Sequence, residues 1–310
     1  YKPWRMAVWL GHLARLSFGR LVPAAELFHS TEHLLMPLGD TPTVLTVHDL
    51  IYKRFPEHHK RLNYWFLNRA MPLFCRRATA LIAVSQATRR DLIDAYGPPA
   101  DKITVVYEAA APHFRPPSPQ AVARAHAEYS LPGRYLIHLG TIEPRKNLGR
   151  LLAALKLLGP AHPDLHLVVA GAKGWLTKPF FAQLAAEGLE RRVQLLGWLP
   201  DDTLPAVIAG AALAVQPSLY EGFGLPVLEH MGCGQVVAAS RAGSHPEVGG
   251  QAAAYFDPLN VEEMAAVIGR LLADDEEYAE RRRLGLEQAG RFSWERAAAE
   301  TEAVYDRLLA

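Results

Sequence analysis

The sequence predicts an α/β protein built on parallel sheets, and three observations carry that expectation. Short runs rich in Val, Ile and Leu alternate with segments of helical apolar spacing, the pattern of strand–helix–strand units buried on both faces. The chain has 310 residues, enough for about two domains. Half of the residues are apolar and 21% are charged, a balance that supports packed cores and excludes a disordered chain.

In the first half, strand-forming runs are read at 27–30, 43–47, 81–84 and 104–107. The second half carries six more, at 135–139, 166–170, 193–196, 212–216, 236–240 and 253–256, enough for a complete doubly wound domain. Between strands, residues 147–158 place Leu148, Leu151, Leu152 and Leu155 on one helical face, with Asn147 as the expected N-cap. Residues 261–273 and 277–289 read as later helices. The stretch AAAPHFRPPSPQ at 109–120 joins the halves; Pro112, Pro116, Pro117 and Pro119 stiffen it and are expected to exclude a helix. The expected domains are therefore 1–111, a linker at 112–120 and 121–290, followed by a terminal segment at 291–310 that the resemblance given below reads as a last helix.

Charge and cysteine usage exclude several classes. The net charge of +1 argues against a nucleic-acid binder. Residues 1–118 nevertheless carry 15 Lys/Arg against nine Asp/Glu, and residues 119–310 carry 18 against 23, so a basic half precedes an acidic one. Cys75 and Cys233 lie far apart, which excludes a disulfide scaffold and fits a reducing, cytoplasmic compartment. No apolar run reaches the roughly 18 residues of a membrane span. The opening YKPWRMAVWLGHLARL lacks the long apolar stretch and small-residue cleavage site of a signal peptide, so none is expected. Residues 60–77, KRLNYWFLNRAMPLFCRR, mix basic and aromatic residues as an interfacial helix does, or as an amphipathic helix packed on a sheet does.

Three segments carry candidate chemistry. In SLYEGFGLPVLE (218–229) a strand ends, Gly222 and Gly224 follow, and Pro226 opens a helix. Free amides and the helix dipole there favour an anion. Glu221 before the helix and Glu229 in its expected first turn face the carboxyl end of the sheet, one suited to sugar hydroxyls and the other to a ribose; the alternative is a strand-to-helix turn with a dipole-stabilising glutamate. In LIHLGTIEPRKN (136–147) the strand ends at Gly140, and Arg145 and Lys146 stand before a helix. Cations at that end are unfavourable without an anion, which makes them candidates to grip a diphosphate or, alternatively, solvated loop charges. In TVLTVHDL (43–50) a strand delivers His48 and Asp49, a histidine to orient a substrate hydroxyl or one satisfied in a loop with Asp49 capping a turn. Lesser candidates are Lys173 in AGAKGW, Gly197 in LLGWLP, and Gly243 and Ser244 in RAGSHPEV; Ser85 reads as a helix N-cap. The sequence contains no Asp-x-Asp pair, no clustered His/Cys set, and no G-x-S-x-G, Walker A or kinase signature.

These residues resemble the retaining GT-B glycosyltransferases of family 4. The resemblance runs in the family's order through VHD at 47–49, GTIEPRKNL at 140–148, AGAKGW at 170–175, LGWLPDDTL at 196–204, YEGFGLPVLE at 220–229 and GSHPEV at 243–248, with Glu221 and Glu229 matching the E-x7-E motif. It implies two Rossmann-like domains facing a cleft, an acceptor-side N-terminal domain and a C-terminal nucleotide-sugar domain, with the last helix returning to the first. Arg145 and Lys146 would contact the diphosphate. Glu221 and the backbone of Gly222, Phe223, Gly224 and Leu225 would hold sugar and phosphate, Glu229 the ribose, and His48 the donor sugar's side. Gly140, Thr141, Lys173 and Gly197 complete the expected donor site. Many members carry Arg where Thr141 stands, which shifts the phosphate grip onto Arg145 and Lys146. The family also usually opens with a strand and glycine-rich loop, roughly 70–90 residues before the region that matches here, so the N-terminal domain is expected to be incomplete.

The implied activity is retaining transfer of a hexose, without metal or other cofactor, from a nucleotide diphosphate sugar to a glycan or lipid-linked acceptor, as in polysaccharide biosynthesis. The VHD and EPRKN forms look most like mannosyltransferases, which favours GDP-mannose, then UDP-glucose. The alternatives are another GT-B enzyme, such as a nucleotide-sugar epimerase or phosphorylase, and an inactive donor-binding module. No nucleic-acid partner is expected, and the basic half is a candidate for peripheral contact at the inner face of the plasma membrane.

Overall fold

A computed structural model describes residues 2–21 and 25–310. In it the apolar runs form two separate, wholly parallel sheets, of four and six strands. The chain divides into two compact units, residues 1–108 with Trp294–Ala310, and Ala109–Ser293.

The first unit runs through α1 (Lys2–Leu13), β1 (Phe28–Ser30), β2 (Thr43–Val47), α2 (Ile51–Arg54), α3 (Arg61–Arg77), β3 (Ala80–Ala83), α4 (Gln86–Tyr96) and β4 (Ile103–Val105). Its sheet keeps sequence order, β1-β2-β3-β4. Alternation along β2 and β3 divides the apolar side chains between two faces. Leu45, Val47, Leu81 and Ala83 pack with Phe66, Leu67, Met71 and Phe74 of α3. Val44, Ala80 and Ile82 pack instead with Ala297 and Val304, residues of the last helix. Most apolar residues of the 60–77 segment are thus core, as an amphipathic packed helix requires; Leu62 and Trp65 remain exposed. Ser85 caps α4, its Oγ accepting from Thr88 N at 2.9 Å.

The second unit contains α5 (Pro119–Glu128), β5 (Tyr135–Leu139), α6 (Leu148–Leu158), β6 (His166–Ala170), α7 (Lys178–Ala186), β7 (Val193–Gly197), α8 (Leu204–Ala209), β8 (Leu213–Gln216), α9 (Leu225–Gly232), β9 (Val237–Ser240), α10 (His245–Gly249), β10 (Ala254–Phe256), α11 (Val261–Ala273) and α12 (Asp275–Ala289). The last helix, α13 (Trp294–Leu309), groups with the first unit. The strand order is β10-β9-β8-β5-β6-β7. The chain starts at the centre with β5, winds outward to β7, then returns to β5's other side with β8. Leu151, Leu152 and Leu155 of α6 and Met264 and Ile268 of α11 cover one face, over Leu136, Leu167, Leu213 and Val215.

Three local expectations are corrected. The proline-rich stretch does not exclude a helix throughout: α5 begins at Pro119, because proline is tolerated in a first turn, and Ser118 Oγ accepts from Ala121 N at 3.2 Å. Asn147 occupies the N-cap position of α6 but makes no side-chain cap, since at φ 58° its amide reaches elsewhere. Glu229 lies in the second turn of α9, not the first, because the helix starts at Leu225.

Candidate functional site

Ligands of doubly wound sheets bind beyond the carboxyl ends of the strands where the winding reverses. Here that place lies between β5 and β8, and the loops following those two strands carry Arg145, Lys146 and Glu221.

The loop after β5 is pressed against the loop after β6. A Cβ on Gly171 would sit 2.1 Å from Gly140 O, and one on Gly174 would sit 2.6 Å from Thr141 Cγ2, so only glycine allows the two loops this approach. Pro144–Lys146 then form a single 3-10 turn, and Asn147 Nδ2 donates to Pro217 O at 3.0 Å and Pro258 O at 2.8 Å. This turn is tied to the β8–α9 loop: Leu219 N donates to Arg145 O at 2.8 Å, and Arg145 Nη1 to Tyr220 O at 3.0 Å.

Glu221 is the centre of the cluster. Its Oε1 accepts from Lys146 Nζ and Ser218 Oγ, each at 2.7 Å, and its Oε2 lies 2.5 Å from Arg145 Nη1. Arg145 Nη2 also meets Glu143 Oε1 at 2.6 Å. The anionic groups that make these cations tolerable are a pair of protein carboxylates, Glu221 and Glu143. Burial pushes the Glu221 carboxyl up, but Lys146 and Arg145 outweigh it and hold it well below the usual carboxylate range. Glu221 and Lys146 are buried and Arg145 half-buried, so the bonded carboxylate and cations form a compact charge array in a low-dielectric setting.

The α9 N-terminus borders this array. Gly224 caps it at φ 92°; Pro226 carries no N–H and Val227 N donates to Gly224 O at 2.9 Å, so the Leu225 amide is the first-turn donor without an acceptor inside the helix. A Cβ on Gly243 would lie 2.4 Å from Glu221 O, and Ser244 N donates to that same oxygen at 3.2 Å, so the 243–244 turn supports Glu221 from behind. His245 stands under Gly224, its Cδ2 2.9 Å from where a Cβ would be. Burial lowers its pKa to about 4, and Ser240 Oγ lies 3.0 Å from its Nδ1, so it is neutral. Glu229 is the exception among the carboxylates: burial pushes it up to about 7, Lys146 pulling against that and Asp201 of the 196–204 loop adding to it.

His48 belongs to the first unit, immediately after β2. Its Nδ1 faces Glu108 Oε1 at 3.0 Å and its Nε2 faces Thr31 O at 2.9 Å. Two oxygen acceptors demand a proton on each nitrogen, and the Glu108 hydrogen bond, against the effect of burial, raises the pKa to about 9. His48 is therefore an imidazolium at neutral pH. It borders a cavity of 640 Å³ within this unit, lined by residues including His29, Thr46, Glu108, Trp294 and Tyr305. Asp49 Oδ1 accepts from Ile51 N at 2.9 Å, a turn that starts α2.

Arg145, Lys146 and Glu221 are thus in mutual contact, with Gly140, Thr141, Gly222, Gly224, Leu225 and Glu229 on the elements around them. Phe223 directs its ring against Phe292, centroids 5.9 Å apart, and leaves only its backbone for a ligand. Lys173 Nζ lies over the Phe181 ring, 4.7 Å from its centroid. Gly197 ends β7 at φ 70°. Glu143, Ser218 and His245, though inside the quoted motifs, carry no separate sequence signal; Glu108, 60 residues from its partner, carries none at all.

A family model described as glycosyl transferases group 1 matches residues 124–287, and one described as glycosyltransferase family 4 matches 24–114. O-antigen chain mannosyltransferase B of Escherichia coli is 35% identical over 270 residues, covering 86% of this chain and 70% of that protein. Serotype-specific mannosyltransferase WbdA of Escherichia coli is 31% identical over 302 residues, covering 91% of this chain; the chain spans only 36% of WbdA's length. The crystal structure of Anabaena Alr3699/HepE in complex with UDP and glucose shares the fold, with a TM-score of 0.78 and 24% identity over 96% of this chain and 82% of that one.

Proposed function

The chain belongs to the group 1 glycosyltransferases of the GT-B fold, and from that premise we propose that it transfers a hexose, mannose from GDP-mannose first and glucose from UDP-glucose second, to a glycan or lipid-linked acceptor with retention of configuration. The observation that carries the reading is the contact of Arg145 and Lys146 with Glu221 at the β5/β8 switch. Mannose rests on the mannosyltransferase names of the relatives.

In this reading the diphosphate lies against Arg145, Lys146 and the first turn of α9, and Glu221 turns an oxygen to the hexose hydroxyls. Glu229 accepts from the ribose. As the sugar–phosphate bond breaks with oxocarbenium character, the two cations and the Leu225 amide at the start of α9 take up the charge growing on the leaving diphosphate, which assigns that work to the chain and to no metal. The leaving phosphate oxygen, on the face of the sugar it has just left, takes the acceptor's proton. Attack on that face keeps the configuration without a covalent carboxylate.

Transfer from GDP-mannose by Lys146→Ala and Glu221→Ala is expected to fall more than about tenfold, about 1.4 kcal/mol in the barrier. A smaller loss contradicts the assignment. Release of nucleoside diphosphate only when acceptor is present separates transfer from epimerisation. Peripheral membrane contact rests on exposed Leu62 and Trp65 beside Arg61 in α3, and on Leu10 and Leu13 of α1. Co-sedimentation with anionic but not zwitterionic vesicles is the expected result, and equal binding to both removes the proposal.

A further inference from the structure

Behind the cation pair stands a buried histidine that the proposed chemistry leaves unused. His138, on β5, is fully buried. Its Nδ1 lies 3.1 Å from Val215 O, which can only accept, so Nδ1 carries the proton and Nε2 presents a bare lone pair. That lone pair has no partner. Burial, with Lys146 and Arg145 adding to it, brings the pKa down to about 3, so the ring stays neutral at working pH.

The direction of the lone pair gives it a task. A Cβ placed on Gly140 would sit 3.3 Å from His138 Nε2, 3.2 Å from Lys146 Cε and 3.4 Å from Lys146 Nζ. Acceptor and ammonium thus flank the same small space above Gly140, which glycine alone leaves open. An ammonium has three donors, and Glu221 Oε1 takes one of them. Glu221 itself is crowded, since the same oxygen also accepts from Ser218 and the other meets Arg145. When a hexose hydroxyl claims Glu221, Lys146 needs a further acceptor that does not neutralise its charge.

We infer that His138 is a positioning residue for Lys146: its Nε2 accepts one ammonium proton when a nucleoside diphosphate fills the cradle, and so aims the remaining donors at the phosphate. The inference rests on the reading of the cradle as the donor-diphosphate site. A neutral acceptor suits this role better than a carboxylate, which would compete with the phosphate for the cation and add like charge beside it.

Two substitutions separate the parts of the ring. His138→Asn keeps an amide near Nδ1 for Val215 O and deletes the acceptor at Nε2; His138→Gln carries an amide oxygen out to the Nε2 position. By calorimetry with GDP, UDP, guanosine and uridine, His138→Asn is expected to weaken the diphosphate that the unmodified protein prefers by about tenfold, about 1.4 kcal/mol. The matching nucleoside stays within about twofold, His138→Gln within about threefold of the original diphosphate affinity, and His138→Asn adds nothing in a Lys146→Ala background. Unchanged diphosphate binding by the Asn variant, a parallel loss of nucleoside, or additivity with Lys146→Ala overturns the inference. Nitrogen-15 histidine spectra of the unmodified protein test it without a variant. The His138 Nε2 resonance moves upfield on saturation with the diphosphate and stays in place with the nucleoside; no movement overturns the inference. If neither GDP nor UDP binds the unmodified protein, the donor-site reading falls and takes this inference with it.

Discussion

Removing the charge of Glu229 should make the free protein more stable while abolishing a pH-dependent step in nucleoside binding. Its carboxyl projects from the second turn of α9, where burial pushes its pKa up to about 7 from an ordinary 4.5, Lys146 opposing and Asp201 reinforcing. An acid whose pKa is raised on folding costs stability as pH climbs above its unfolded value, and the cost is complete above the folded value. From 4.5 to about 7 the interval corresponds to at most about 3 kcal/mol at pH 8. Glu229→Gln is therefore expected to raise the melting temperature at pH 8, by about 2–4 °C per kcal/mol recovered, and to leave it unchanged near pH 4.5. Function runs the other way. A ribose diol donates its protons, so it selects the ionised carboxylate, which is about a tenth of the population at pH 6 and about nine tenths at pH 8. Guanosine or uridine affinity should rise about tenfold across that range in the unmodified protein and be weak and flat in Glu229→Gln. Nucleosides are the right probe because a phosphate titrates in the same window. A Gln variant that melts lower at pH 8, or that keeps the pH slope, refutes the argument.

Other outcomes follow from single contacts. Glu108→Gln removes the main support of the His48 imidazolium, so the His48 titration seen by proton NMR should fall from about 9 toward 6.5; what the pair contributes to stability is full below about pH 6.5 and lost as pH rises through about 9. Gly243→Ala drives a Cβ to 2.4 Å from Glu221 O at φ 58°, and is expected to lower thermal stability by about 1–3 kcal/mol and weaken diphosphate binding without touching any charged residue. Ser85→Ala deletes a helix cap in the first unit and should cost about 1 kcal/mol while leaving nucleotide binding by the second unit intact.

The local elements were legible because apolar alternation and caps act over a few residues. Residues 43–47, 135–139, 166–170 and 261–273 are bounded in the structure as the sequence reads them. What local pattern cannot carry is order across a sheet. The return of β8 to β5's free side sets the loops of Arg145 and Glu221 together, and nothing within either segment specifies it. The two motifs single out Arg145, Lys146 and Glu221, but not the shared hydrogen bonds that saturate Glu221. Glu143 and Ser218 escape notice because a glutamate or serine in a loop is ordinary until its partner is known. Glu108 escapes because its meaning lies in His48, 60 residues away; His138 escapes, although it shares a segment with Lys146, because alternation along a strand does not show which way its ring nitrogens face. The 60–77 segment shows the converse: its aromatic and basic composition suits a membrane surface, yet most of its apolar side chains are used by the core beneath it.

The central claim is that Arg145, Lys146 and the α9 N-terminus form the seat of a donor's diphosphate. A crystal structure of the chain soaked with GDP or UDP tests it most directly. The distal phosphate is expected within hydrogen-bond distance of Lys146 Nζ, the Arg145 guanidinium and the Leu225 amide at the start of α9, with the ribose at Glu229. A nucleotide seated elsewhere, with Lys146 and Arg145 still closed on Glu221, contradicts it.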